Sequence, residues 1–325
     1  MFMFKKVAAV LFGIFAMAIM ADTARAAFPE KPITIMVPYN PGGGSDLNAR
    51  TMAKFLTKHL GSPVVVSNKP GGGGFSETAR VLKNKNTHDG YTMILLGAMN
   101  SYPEIYQQQY PYTYSDFKPI GNISLSVGAI AVGKDTPYMS LKDLVDAAKA
   151  SPTPIKYSRA ASGGTSHLTP AIFCDMYEVP MEDVPYNGDI DSATALLRGE
   201  VKVGSANPVA LIPHHQEGSI RILAVFAPDR LPSIPDVPTF KEAGFEMPLE
   251  ALGPISLYAP AGIPEENAKI IEDAMLKVAS DPEFLEEAAK VNITPYVVVG
   301  DAFDKHMQKY AELIGPMIKK LGLYK

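Results

Sequence analysis

Ile33-Thr34-Ile35-Met36-Val37-Pro38-Tyr39-Asn40-Pro41-Gly42-Gly43-Gly44-Ser45-Asp46 begins as an apolar, β-branched run and ends in a glycine loop, and residues 46–60 behind it carry a helical pattern. Strand, glycine turn and helix in that order form the repeating unit of an α/β fold. The rhythm continues outward with a strand at 63–67, a helix after Gly74 and a strand at 91–97, so at least three parallel strands are expected in a first lobe. Residues 122–132 are long and almost wholly apolar, as suits a buried strand that leaves the first lobe as a crossover.

A second series follows, with helices at 140–150, 165–177 and 190–198 and strands at 155–158, 184–186, 201–205 and 220–226. Three prolines between 231 and 238, then a second apolar run at 253–260, mark the return crossover. Amphipathic stretches at 264–279, 281–290 and 301–321 complete the first lobe. The expected layout is residues 27–127 plus 255–325 for one lobe and 128–254 for the other, against the simpler alternative of one contiguous domain per half.

The amino-terminal end points outside the cytoplasm. Lys5 and Lys6 precede an apolar run at 7–20, followed by Ala24-Arg25-Ala26, the pattern of a secretory signal peptide cleaved after residue 26. Fourteen apolar residues fall short of the roughly 20 that a membrane-crossing helix requires. Removing Lys5, Lys6, Arg25 and Asp22 leaves 27 basic and 33 acidic residues, a formal charge of −6 that disfavours nucleic acid as a partner. Cys174 is the only cysteine, so no disulfide closes within the chain, and it is expected to behave as a small buried hydrophobe. About 300 mature residues suffice for two domains of ordinary size, and a periplasmic monomer is expected.

The glycine loops carry the chemistry. The loop from Tyr39 through Asn40, Pro41, Gly42, Gly43, Gly44 and Ser45 to Asp46 lies at the carboxyl end of a strand, where open α/β sheets bind ligands. Its glycines admit close backbone approach, and the unpaired first amides of the next helix favour an anion. Asp46 there reads as a first-turn or capping residue rather than an acid catalyst. A second loop in the other lobe, from Arg159 through Ala161, Ser162, Gly163, Gly164 and Thr165 to His167, has the same strand-to-helix setting. Either loop alone is as well explained as an ordinary glycine-rich turn, and it is their pairing across two lobes that suggests a shared anion cleft. Gly97, Ala98 and Asn207, near strand ends, join the candidate ligand-binding set. Asn68 to Gly74 lacks the Gly-Lys-Ser/Thr ending of a phosphate loop, which disfavours a nucleotide.

No H-E-x-x-H or G-x-S-x-G motif is present, and His214-His215 is an adjacent pair that projects to different helix faces, so no catalytic residue, metal site or cofactor is expected. The competing enzymatic reading is a hydrolase or isomerase that uses His167 with Ser166 or Asp46.

Several runs, in order along nearly the whole mature chain, resemble one family: PEKPITIMVPYNPGGGSDLNAR at 29–50, PVVVSNKPGGGG at 63–74, DGYTMILLG at 89–97, His167-Leu168, VPYNG at 184–188 and IPDVPTFKEAGF at 234–245. Together they look like the substrate-binding proteins of tripartite tricarboxylate transporters, the TctC or Bug family. The resemblance implies a type II periplasmic-binding fold, two α/β lobes joined by two crossovers that close on a small carboxylate, with membrane transporter subunits as partners. Ligands of that family include di- and tricarboxylates, acidic amino acids and aromatic acids. The loops matching 41–46 and 161–165 then hold a carboxylate through backbone amides and water, and Tyr39, His167 and the turn Tyr186-Asn187-Gly188 fall at cleft positions. Two departures bear on the ligand. Arg159 stands where the family has a small hydroxyl-rich run, either to pair with a second carboxylate or to point into solvent. Asp189 and Asp191 replace residues that are usually small or apolar, and facing the cleft they would recognise an amine or repel a surplus carboxylate. A periplasmic sensor that docks on a membrane receptor would use the same pocket.

Overall fold

The computed structural model describes residues 28–320 and 322, apart from 43, 71–74, 105–109, 161–163, 187 and 249–251. The expected signal peptide at 1–26 lies outside the described residues. Among them no helix is long and apolar enough to cross a membrane.

The opening unit forms as its sequence suggests. Strand β1 (Ile33–Val37) leads through the glycine loop into α1 (Gly44–Leu60), and β2 (Val64–Asn68), α2 (Phe75–Lys83) and β3 (Thr92–Gly97) follow. β1 lies parallel to both β2 and β3. A short helix α3 (Ala98–Ser101) precedes β4 (Phe117–Leu125).

The apolar run at 122–132 is two strands, not one. β4 ends at Leu125 and β5 (Gly128–Gly133) begins after Ser126 and Val127, in a different sheet. Apolarity reports burial, and both halves are buried, so composition alone could not mark the break. Gly128 at the start of β5 lets Thr169 pack close: a Cβ there would lie 2.5 Å from Thr169 Oγ1.

The second lobe then runs α4 (Leu141–Ala150), β6 (Ile155–Arg159), α5 (Thr165–Tyr177), β7 (Met181–Pro185), α6 (Asp189–Leu197), β8 (Val203–Ala206), α7 (Pro208–Gln216) and β9 (Ile220–Phe226). Ser140 caps α4 by accepting the Asp143 amide while Asp143 accepts the Ser140 amide, a reciprocal box that satisfies donors at the helix start. The chain returns through residues 227–253 to β10 (Pro254–Pro260), then α8 (Glu265–Ala279), α9 (Pro282–Lys290), β11 (Thr294–Val299) and α10 (Gly300–Lys320).

One sheet has the order β11-β4-β10-β3-β1-β2 and the other β7-β6-β8-β5-β9. β4 and β10 are antiparallel neighbours in the first sheet, so both crossovers leave it side by side. The Ser126 amide donates to the Gly253 carbonyl at 2.8 Å and ties the two crossovers together.

Among the described residues three apolar clusters form the core. Ile35, Met52, Phe55, Met275 and Phe284 pack α1, α8 and α9 on the first sheet. Leu196, Leu211, Ile222 and Val225 do the same in the second. A third runs through both lobes, joining Leu96, Tyr258 and Met307 to Ile130, Phe173 and Phe226, with Phe303, Ile314 and Ile318 along α10. Cys174 is partly buried rather than sealed in the core, and burial, then the nearby Asp175, pushes its thiol up to about 12.

Candidate functional site

A cavity of about 770 Å³ opens between the sheets, a size suited to a small molecule. Gly42, Gly44, Ser45, Leu47 and Asn48 form its wall on the first lobe. Ser124, Leu125, Ser126 and Val127 of the crossover form its floor, and Gly188 to Asp191 and Asn207 to Ala210 form the second-lobe wall. Val291 to Thr294, with Leu231 and Ile255, close one side.

The first wall is held by Asp46. Its carboxylate accepts from the Gly42 amide at 2.8 Å, from Arg50 at 2.9 Å and from Asn68 at 2.9 Å. Burial pulls this carboxyl upward, but the hydrogen bonds from Arg50, Gly42 and Asn68 outweigh it and hold it below its ordinary value. A buried carboxylate with these partners fixes the loop. Asn48 donates to the Gly44 carbonyl at 2.9 Å and accepts from Ser124 at 2.6 Å, which ties the start of α1 to the crossover. Tyr39 donates to Asn100 at 2.8 Å behind this wall.

On the second wall the Asn207 side chain accepts the Val209 amide at 3.0 Å and so caps α7, whose first residue is Pro208. The Asn207 amide donates to Asp189 at 3.0 Å, and Asp189 also accepts from Ser166. Burial raises the Asp189 carboxyl, with those two hydrogen bonds opposing. Thr165, at the start of α5, donates to Ser126 at 2.8 Å.

Of the sequence-predicted residues, Gly42, Gly44, Ser45, Gly188 and Asn207 line this cavity. Asn40 and Pro41 are exposed beside Tyr39, while Gly97 ends β3 and Ala98 is buried at the start of α3. Gly43, Ala161, Ser162, Gly163 and Asn187 lie outside the described residues, and Gly164 caps α5.

Arg159, His167 and Tyr186 also stand away from this cavity. Arg159 neither reaches this cavity nor points into solvent: it is buried, and donates to Asp183 at 2.7 Å and to the Ala160 carbonyl at 2.9 Å. The register that sets Arg159 beside Pro185 and Tyr157 beside Asp183 brings that carboxylate diagonally within reach. His167 lines a separate recess of about 270 Å³ with Tyr157, Cys174 and Asp183. Burial, then the Arg159 charge, lowers its pKa to about 4, so it is neutral at pH 7. Tyr186 donates to Glu200 at the far side of α6.

Sequence reading missed Asn48, Ser124, Ser126, Asn292 and Thr294 as lining residues. Asn292, a non-glycine at φ 56°, accepts from Ser233 and so links the stretch before β11 to the second lobe. A left-handed asparagine is a turn signal, and no local pattern assigns it to a cleft. Among the described residues no group of His, Cys, Asp or Glu is arranged to hold a metal ion.

Two α/β sheets joined by paired crossovers, with a small-molecule cavity between them, define a solute-binding protein of the periplasmic type. The chain belongs to the TctC family, the tripartite tricarboxylate transporter family receptors, whose family model matches residues 48–323. Members of this family are periplasmic solute-binding proteins, not enzymes. A UPF0065 protein of the gbd 5′ region of Cupriavidus necator is 29% identical over 320 residues, covering 96% of this chain and 94% of its own. A TctC solute-binding protein from Polaromonas is similar with a TM-score of 0.74 at 26% identity, covering 90% of this chain and 100% of its own. An R. palustris protein solved with adipate is similar with a TM-score of 0.72 at 27% identity, covering 90% and 97%.

Proposed function

We propose that this chain captures a small carboxylate between its lobes and hands it to the membrane subunits of a tripartite tricarboxylate transporter. The observation that carries the reading is the cavity itself, walled by the glycine loop and first turn of α1 on one lobe and by the starts of α6 and α7 on the other. A helix start with free amides attracts an anion, and at α1 the absent Cβ atoms of Gly42 and Gly44 leave room for one. The adipate-bound relative supports a carboxylate. Gly42, Gly44, Ser45, Gly188 and Asn207 are the described candidates for contact, with Gly43, 161–163 and Asn187 completing the loops.

In this reading residues 27–127 with 255–325 form one lobe and 128–254 the other, and residues 1–26 direct export and are removed. The protein works as a periplasmic monomer. The ligand binds the closed arrangement better and shifts the population toward it.

Calorimetry of the mature protein against mono-, di- and tricarboxylates, keto acids, amino acids and aromatic acids tests this. At least one is expected to bind with a Kd of about 1–100 µM. No heat from any of them would overturn the proposal.

A further inference from the structure

The charged side chains lining the central cavity are all acidic. Asp189 and Asp191 face it from the start of α6, and no lysine, arginine or histidine lines it among the described residues. Residues 43, 161–163 and 187 are neutral in sequence, so the undescribed parts of the glycine loops supply no basic side chain. Neither aspartate has an ion-pair partner among the described residues, in contrast to Asp46, which is matched by Arg50.

The neighbouring helix cannot compensate. Pro208 has no N–H, the Val209 amide is taken by the Asn207 side chain, and the Ala210 amide by the Asn207 carbonyl. The α7 start therefore offers a ligand no anion-binding donor from its first turn. At α6 the two first-turn carboxylates already complement the partial positive charge of the helix end, and a second anion placed there would meet like charge. On the first lobe the balance is opposite: Gly44, Ser45, Asn48 and Ser124 are neutral, and the Asp46 charge is turned away and neutralised.

We infer that the solute is an aminocarboxylate or similar zwitterion, its carboxylate seated at the α1 loop and a nitrogen cation seated against Asp189 and Asp191. This rests on the cavity being the solute site and names the class of solute it takes. A carboxylate has about four acceptor positions. Asp189 uses two of its own, on Asn207 and Ser166, and keeps capacity for a cationic N–H donor. Burial disfavours its ionised form, and an incoming cation would relieve that cost. A second carboxylate on the ligand would add to it.

Skeleton-matched probes test the inference. For chain lengths of three to six carbons, calorimetry compares the monocarboxylate, the α,ω-dicarboxylate, the ω-aminocarboxylate and the α-amino acid on the mature protein. An amino-bearing member is expected to bind about tenfold or more tighter than the dicarboxylate of its length, the size of a charge-assisted hydrogen bond. Asp189→Asn keeps an acceptor oxygen for the Asn207 amide while removing the charge, and Asp191→Asn changes an exposed position. Together they should abolish that preference, so that the amino-bearing member loses its advantage over the dicarboxylate of its length. Tightest binding by a dicarboxylate, or a preference that survives both substitutions, would overturn the inference and leave carboxylate capture standing. If no carboxylate of any kind bound, carboxylate capture itself would fall.

Discussion

Gly44 stands at the start of α1 facing the cavity, with nothing within 4 Å of where a Cβ would sit. Gly44→Leu should therefore fill ligand space without touching the core. The expected result is loss of carboxylate binding by calorimetry with stability changed by no more than about 0.5 kcal/mol. His167 offers a different handle. Its pKa is about 4 when folded, against 6.5 for the free side chain, so between those values the unfolded chain binds more protons. Its contribution is full above about pH 6.5 and is lost as pH falls toward 4, on the order of 2–3 kcal/mol. Denaturant midpoints for the wild type and His167→Gln between pH 7 and 4.5 should thus show a shallower acid loss in the variant. An equal loss would mean that His167 takes up its proton over the same pH range in both states. At this scale the sequence was legible where chemistry is local. The glycine loop and the first-turn place of Asp46 follow from residues within a few positions, whereas the Arg159–Asp183 pair depends on the register of β6 and β7, and the Asn48–Ser124 bond joins residues 76 apart.

Helices and strands obeyed their patterns wherever one face is buried. The α5 bounds at Thr165–Tyr177 and β9 at Ile220–Phe226 match the expected spans, and α1 begins two residues earlier than its periodicity suggests because the glycine loop itself turns into helix. The sequence put His214-His215 on a helix without giving its bounds; α7 starts at Pro208, the first helical residue, where a missing N–H costs nothing, and Asn207 caps it. β11 escaped notice because Pro295 and a register shift before Val298 blur its alternation. The join between β4 and β5 gives an element-level prediction. Gly128→Ala drives a methyl into the short, β-branched Thr169 side chain on α5, which has little room to swing away, and should cost about 1–3 kcal/mol. Gly315→Ala, in α10 with open space around it, should instead gain about 0.5–1 kcal/mol by restraining the unfolded chain. Thermal or denaturant unfolding of the two variants, set side by side, separates the close approach from a general cost of replacing glycine.

In the proposed capture one lobe closes on the other, and a bound solute adds its binding free energy to the folded state. With the tightest member of the carboxylate panel at 100 times its Kd, unfolding should require about 2.7 kcal/mol more than in buffer. Small-angle scattering should report a smaller radius of gyration under the same conditions, and an unchanged radius would mean that the pocket fills without lobe movement. The hydrogen bond between Ser126 and Gly253 sets the character of that movement. Two peptide strands laced edge to edge flex readily across their thin dimension and resist being wrung, so the halves should nod about one line instead of swivelling. Occupancy then projects onto one coordinate, and a lone pair of dyes, one on each half, would be a complete gauge of it.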